Sequence, residues 1–152
     1  MKMKKILFTC FLMAFSLCSF ALPNYWSATY AQGYMEYGIS NDKHLSVIIA
    51  CNVAADDEAD NSVYLYHGEN PIDAQNIAFV IDDEAYYIPK ETKTRSEGNM
   101  WDSFTRAIMK ANQFEVYVDD KPIGQFQPNK KNRLKTFTDF NCEPLHYRDV
   151  PH

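Results

Sequence analysis

The chain has 152 residues, with 15 Lys and Arg against 20 Asp and Glu, a net charge of −5 with neutral histidines. That acidic balance argues against nucleic acid or an anionic membrane as a bulk partner. Hydrophobic residues make up 46% of the chain, with ten Tyr and two Trp, enough for one domain with a single core.

Residues 1–21 read as a cleaved signal peptide. Lys2, Lys4 and Lys5 make a basic start, an apolar run extends from Ile6 to about Phe15, and Ser19 and Ala21 offer the small residues a signal peptidase reads. The run is too short and too soon interrupted by Ser16 to predict a stable membrane span. The expected destination is the periplasm or the medium. Loss of the three lysines takes the net charge to −8. Cys10 and Cys18 leave with the leader, so Cys51 and Cys142 are the cysteines of the exported chain. Two cysteines in an oxidising compartment most simply form one disulfide.

Most of the remaining segments alternate with period two. Strands are expected near 25–30 and over 34–39. In the next segment Leu45, Val47, Ile49, Cys51 and Val53 share one face, a strand with a dominant apolar side. The segment 62–67 sets Val63 and Leu65 opposite Tyr64 and Tyr66. Ile77 to Ile81 and Ala85 to Ile88 read as a hairpin turning at Asp82-Asp83 and stopped by Pro89. Phe114, Val116 and Val118 face inward on a further strand, followed by a turn over Asp119 to Pro122 and a strand from Ile123 to Phe126.

One segment breaks that period. Met100, Trp101, Phe104, Ala107, Ile108 and Ala111 fall at the 3,4 spacing of one helical face, which predicts an amphipathic helix near 99–112 capped by Asn99. A shorter helix is expected over 131–140 with Leu134 and Phe137 inward. The predicted fold is mainly β (α+β), an antiparallel sandwich or sheet carrying one clear helix and a single disulfide. One domain covers 22–142, and the polar tail 143–152 is expected to be flexible.

Candidate chemistry is sparse. No G-x-S-x-G elbow is present, and His44, His67, His146 and His152 lack metalloprotease spacing. No cofactor is called for. Asp56, Asp57, Glu58 and Asp60 could offer oxygens to calcium, but an EF-hand reading puts Asn61 where Gly is needed and His67 where Glu is needed. A solvated acidic turn is the simpler reading. Lys121, Lys130, Lys131, Arg133 and Lys135 form a basic segment that could steer an acidic partner. Tyr64, Tyr66, Tyr87 and Tyr117 lie opposite the most apolar residues of their strands. They make an aromatic recognition patch if those faces are open, and core if a second layer covers them.

The order of features is informative: a strand "LSVIIACN", a strand "VYLY", a hairpin with "IDDE", a helix "WDSFTRAIMKA", a strand pair "FEVYVDDKPIGQF" and a terminal "FNC". This layout resembles small periplasmic proteins of the type VI secretion accessory class (VasI/TagO-like) and of the invasion-associated locus B class. The resemblance covers about Leu45 to Cys142. It implies a Cys51–Cys142 pairing and a non-catalytic envelope protein. The expected function is therefore binding of another protein in or outside the envelope, for example as an inhibitor or toxin-neutralising protein. The competing expectations are a small hydrolase acting on envelope polymers through acidic residues and a calcium-dependent surface module.

Overall fold

The structure is a computed structural model that describes residues 22–54 and 59–148. The expected leader, the acidic positions Asp56, Asp57 and Glu58, and residues 149–152 lie outside the described residues.

Among the described residues nine strands form two antiparallel sheets. The first is a meander, β1 (Ser27–Ala31), β2 (Tyr34–Ser40), β3 (Leu45–Asn52), β4 (Ser62–His67) and the two-residue β5 (Asn70–Pro71). The second contains β6 (Ile77–Ile81), β7 (Glu84–Tyr87), β8 (Phe114–Val118) and β9 (Lys121–Phe126) in the order β7-β6-β8-β9. Alternation fixes the inner faces, with Tyr37, Ile39, Leu45, Val47, Ile49, Cys51 and Leu65 from the first sheet and Phe79, Ile81, Phe114, Val116 and Phe126 from the second. All belong to one core cluster, which helix α1 (Arg95–Ile108) completes with Trp101, Phe104 and Ile108.

Three hairpins turn over two residues each, because Ala31 pairs with Tyr34, Ile81 with Glu84 and Val118 with Lys121. The six turn residues have φ between 45° and 87°, the left-handed geometry that matches strand twist. Asp tolerates that region better than most residues, and in both Asp-Asp turns the first carboxylate holds a neighbour. Asp119 Oδ1 accepts the Asn76 N–H at 2.8 Å ahead of β6. The Asp82 carboxylate accepts the N–H groups of Asn112 and Gln113 ahead of β8, each at 3.3 Å. The two central strands of this sheet therefore brace each other's approach. The β8–β9 turn closes at Lys121, two residues earlier than expected. Pro122 falls inside β9, where an edge position and a register shift at Val116/Tyr117 accommodate it.

Helix α1 begins four residues before the expected start. Thr94 is its N-cap in a capping box with Glu97, and Asn99 lies inside the helix. Gly98, also inside the helix, is a close-approach site: a Cβ there would stand 3.2 Å from the Cβ of His146. The tail expected to be flexible is folded as far as Arg148. Pro144 and Leu145 are buried, and a four-residue α3 (Leu145–Arg148) packs against α1. In α2 (Lys130–Thr136) the expected inward Leu134 is 61% exposed. Arg133 points inward in its place, and Phe137 just past the helix is buried as expected.

The Cys51–Cys142 disulfide is present, joining the end of β3 to the carboxyl-terminal segment across 91 positions. Trp101 Nε1 donates to the Cys142 carbonyl at 2.9 Å, so α1 is tied to the same point. No helix among the described residues is long and apolar enough to cross a membrane.

Candidate interaction surface

The four tyrosines divide between two surfaces. Tyr64 lies in a row with Ile48, Gly38 and Ser27 across the outside of the first sheet, and Tyr66 is next to it opposite Ser46. Tyr87, Ala78, Tyr117 and Pro122 make a row across the outside of the second sheet. Both inner faces line the same core, so these outer rows point away from each other and make no single patch. Tyr64 and Tyr87 are exposed, while Tyr66 and Tyr117 are half-buried. A hydrogen bond to Glu115, two residues away on the same face, raises the Tyr117 hydroxyl above its ordinary range.

The basic segment also divides. Arg133 is buried and does structural work. Its Nη1 donates to the carbonyls of Lys110 (2.8 Å) and Ala111 and to Asn112 Oδ1 (3.3 Å), closing the carboxyl end of α1 where carbonyls lack helical partners. Lys121 sits at the β8–β9 turn, away from α2 in the chain. Lys130, Lys131 and Lys135 are exposed, and none joins an ion pair among the described residues.

Helix α2 bears on a feature that the charge pattern alone did not reveal. Its Asn132 grips the backbone of Trp26: Trp26 N–H donates to Oδ1 at 2.6 Å, and Nδ2 donates to Trp26 O at 3.0 Å. The side-chain amide thus substitutes for a neighbouring strand immediately before β1. The two-residue turn after β1 makes Ala31 and Tyr34 a hydrogen-bonded pair, so Ser27, Thr29 and Ala31 direct their N–H and C=O toward β2. Trp26, Ala28 and Tyr30 direct theirs outward by the same alternation, and the Asn132 contact at Trp26 agrees. Beyond Trp26 the outward edge at Ala28 and Tyr30 has no strand beside it among the described residues.

The sheet edges differ in protection. β5 is two residues long and contains Pro71, and β9 carries Lys121, Pro122 and the register shift. β7 is four residues with Glu84 at its start, and Pro89 follows it closely. β1 is five residues, Ser-Ala-Thr-Tyr-Ala, without charge or proline; its first four residues are exposed and Tyr30 is 65% exposed. Folded proteins ordinarily blunt such an edge. The sequence signal was available in the uncharged stretch between Trp26 and the Gln-Gly turn, but only the topology identifies it as an edge.

The family model described as YfjT matches residues 24–134. The chain belongs to the YfjT family. It is 33% identical over 127 residues to the "Uncharacterized protein YfjT" of Escherichia coli (strain K12), covering 79% of this chain and 82% of that protein. It is 30% identical over 125 residues to the "Uncharacterized protein YkfB" of the same strain, covering 78% of this chain and 81% of that protein. No solved structure matches. The YfjT match contains both sheets, the β1 edge and α2 as far as Leu134; Cys142 lies beyond it.

Two other features have mainly structural roles within this family member. Asp60, read as a possible calcium ligand, accepts the Thr92 N–H (2.7 Å), the Thr92 hydroxyl (2.6 Å) and the Asn61 N–H (2.7 Å). Among the described residues no group of three or more His, Cys, Asp or Glu could hold a metal ion. A broad groove of about 960 Å³ runs past the β2–β3 and β6–β7 turns and is lined by Asp42, Asp82, Asp83 and Glu115 among others. Asp82 is occupied in holding the approach to β8, and Glu115 accepts from Gln125 Nε2 at 2.7 Å.

Proposed function

We propose that this chain is an exported, non-catalytic binding protein of the bacterial envelope that acts by holding another protein, with inhibition or toxin neutralisation as its concrete form. Export is supported by the basic-then-apolar pattern of residues 1–21 and by a buried disulfide, which suits an oxidising compartment. The observation that carries the binding reading is the unprotected β1 edge. An extended segment of a partner can add to it as a further strand, with main-chain hydrogen bonds at Ala28 and Tyr30 supplying affinity and the exposed Tyr30 ring supplying contact area.

The test uses the full chain with its own leader and a carboxyl-terminal tag, expressed in a bacterium and captured from envelope and culture fractions. One partner is expected at near-stoichiometric amount, identified by mass spectrometry. Ala28→Pro deletes an outward N–H of β1 and is expected to lose that partner. Capture that is equal with wild type and Ala28→Pro, or absent with both, counts against strand addition.

A further inference from the structure

We infer that the segment received by β1 is acidic, and that Lys131 and Lys135 of α2 read its charge. This rests on the strand-addition reading above and goes further by naming the chemistry of the partner.

The argument starts from the faces of α2. Arg133 and the following Phe137 face the core. One step around the helix, Asn132 grips the Trp26 backbone, and the Thr136 hydroxyl donates to Trp26 O at 3.4 Å. Residues four apart lie on one face, so the next step brings Lys131 and Lys135 into line beside the stripe that touches Trp26, just ahead of β1. A strand added at Ala28 and Tyr30 cannot continue past Trp26, whose outward groups Asn132 already occupies. The partner chain therefore ends or turns against α2, next to these two lysines.

Lys130, Lys131 and Lys135 have no ion pair among the described residues, although the chain as a whole has five more acidic than basic residues. Lone lysines on an otherwise acidic protein give a local attraction for carboxylates. The other ready occupant is a second copy of this chain. The uncharged β1 could pair with itself about Thr29, but that would bring two net-acidic molecules together and leave the α2 lysines at opposite ends of the strand pair, without carboxylate partners from β1. Complementarity thus favours an acidic extended segment from a different protein.

The experiment uses the exported protein purified with its disulfide intact. The probes are three capped octapeptides, of alternating Glu/Val, Lys/Val and Ser/Val, followed by amide NMR and fluorescence anisotropy. The Glu/Val peptide is expected to shift the Ala28 and Tyr30 amides and to bind about ten-fold more tightly than the Lys/Val peptide, the scale two exposed ion pairs can supply. That preference is expected to shrink between about 50 mM and about 500 mM salt. Lys131→Glu with Lys135→Glu is expected to reverse the preference, and Ala28→Pro to remove binding of every peptide.

Equal binding of the three peptides, lost in Ala28→Pro, overturns the acidic partner and leaves strand addition standing. Binding that Ala28→Pro does not weaken overturns both readings, as does no binding at all. Concentration-dependent Ala28 and Tyr30 shifts without peptide, with dimer-sized sedimentation, make the occupant a second copy and overturn the inference.

Discussion

At its carboxyl end the folded chain is fastened at nearly every residue, whereas near its amino end it presents a strand with one side open. The Glu143 carbonyl accepts from Asn61 Nδ2 and from Arg148 Nη2, the Leu145 N–H donates to Thr92 Oγ1, the His146 N–H donates to Thr92 O, and Arg148 Nη2 also reaches the Asn52 carbonyl at 2.6 Å. Asp60 stands behind this set by holding Thr92 from the other side. At the amino end Asn24 and Trp26 are held by Ser40, Gln127, Asn129 and Asn132, and the fastening then stops. Ser27 to Tyr30 are exposed and, among the described strands, lie beside β2 alone. Backbone groups are satisfied wherever the segment is buried, and those left open are in solvent, where water satisfies them until a partner displaces it.

The largest expected effect breaks the fastened end. Paired Cys51→Ser and Cys142→Ser substitutions are expected to lower unfolding free energy in urea by roughly 4 kcal/mol, the chain-entropy value for a long loop. Intact mass of the native protein should be two hydrogens below the all-thiol value. A loss near zero would mean that the polar network alone holds the segment. The next effect removes Asp60. Asp60→Ala strips two donors on Thr92 and one on Asn61 of their acceptor, and about 2–3 kcal/mol is expected for a charged hydrogen-bonding group. Thr92→Val should cost a similar amount and, combined with Asp60→Ala, should add little, because both act on one network.

Tyr37 sharpens the comparison through pH. It packs between the first sheet and the Phe137 and Phe140 rings, and burial raises its hydroxyl above the ordinary value of 10.0, with the nearby Asp139 charge adding to the shift. The folded state therefore favours the protonated form. Its contribution is fully present below pH 10.0 and is lost as pH rises through the folded value. Tyr37→Phe is expected to flatten the alkaline arm of the stability profile, measured by melting temperature, and to leave neutral pH nearly unchanged. An unchanged alkaline arm would assign it to other groups.

Much of the fold was legible because its signals are local. Period-two alternation identified Leu45, Val47, Ile49 and Cys51 of β3 and Phe114 and Val116 of β8 as inner residues, and the Asp82-Asp83 turn was readable from a polar pair between apolar runs. The early start of α1 was also a local signal, Thr94 with Glu97 three residues on, which the Asn99 reading passed over. The other misses depended on distant partners. Leu134 looks like core until the open carbonyls at the end of α1 draw Arg133 inward. Glu143 to Arg148 look like a frayed polar tail, but Glu143, Leu145 and Arg148 find partners 82, 53 and 96 positions away, which composition does not encode. The tyrosines were read correctly as lying off the apolar faces. Their separation onto two sides required knowing that two sheets share one core.

The smallest effect on stability is expected at the open end, and it tests the geometry most directly. Ala28 and Thr29 are adjacent, but alternation gives their N–H groups opposite directions, outward from Ala28 and toward β2 from Thr29. Ala28→Pro should remain within about 0.5–1 kcal/mol of wild type, since an edge strand loses no ladder bond on that side. Thr29→Pro removes a β1–β2 bond and leaves the Glu36 carbonyl without its partner, so a loss of at least about 1–2 kcal/mol is expected. Urea unfolding of the two variants side by side separates the cases. The reverse order would place the Ala28 and Tyr30 groups against β2 and close the edge on which the binding reading depends. The expected order, with partner capture lost only through a change that leaves the fold intact, would make β1 a surface kept open for binding.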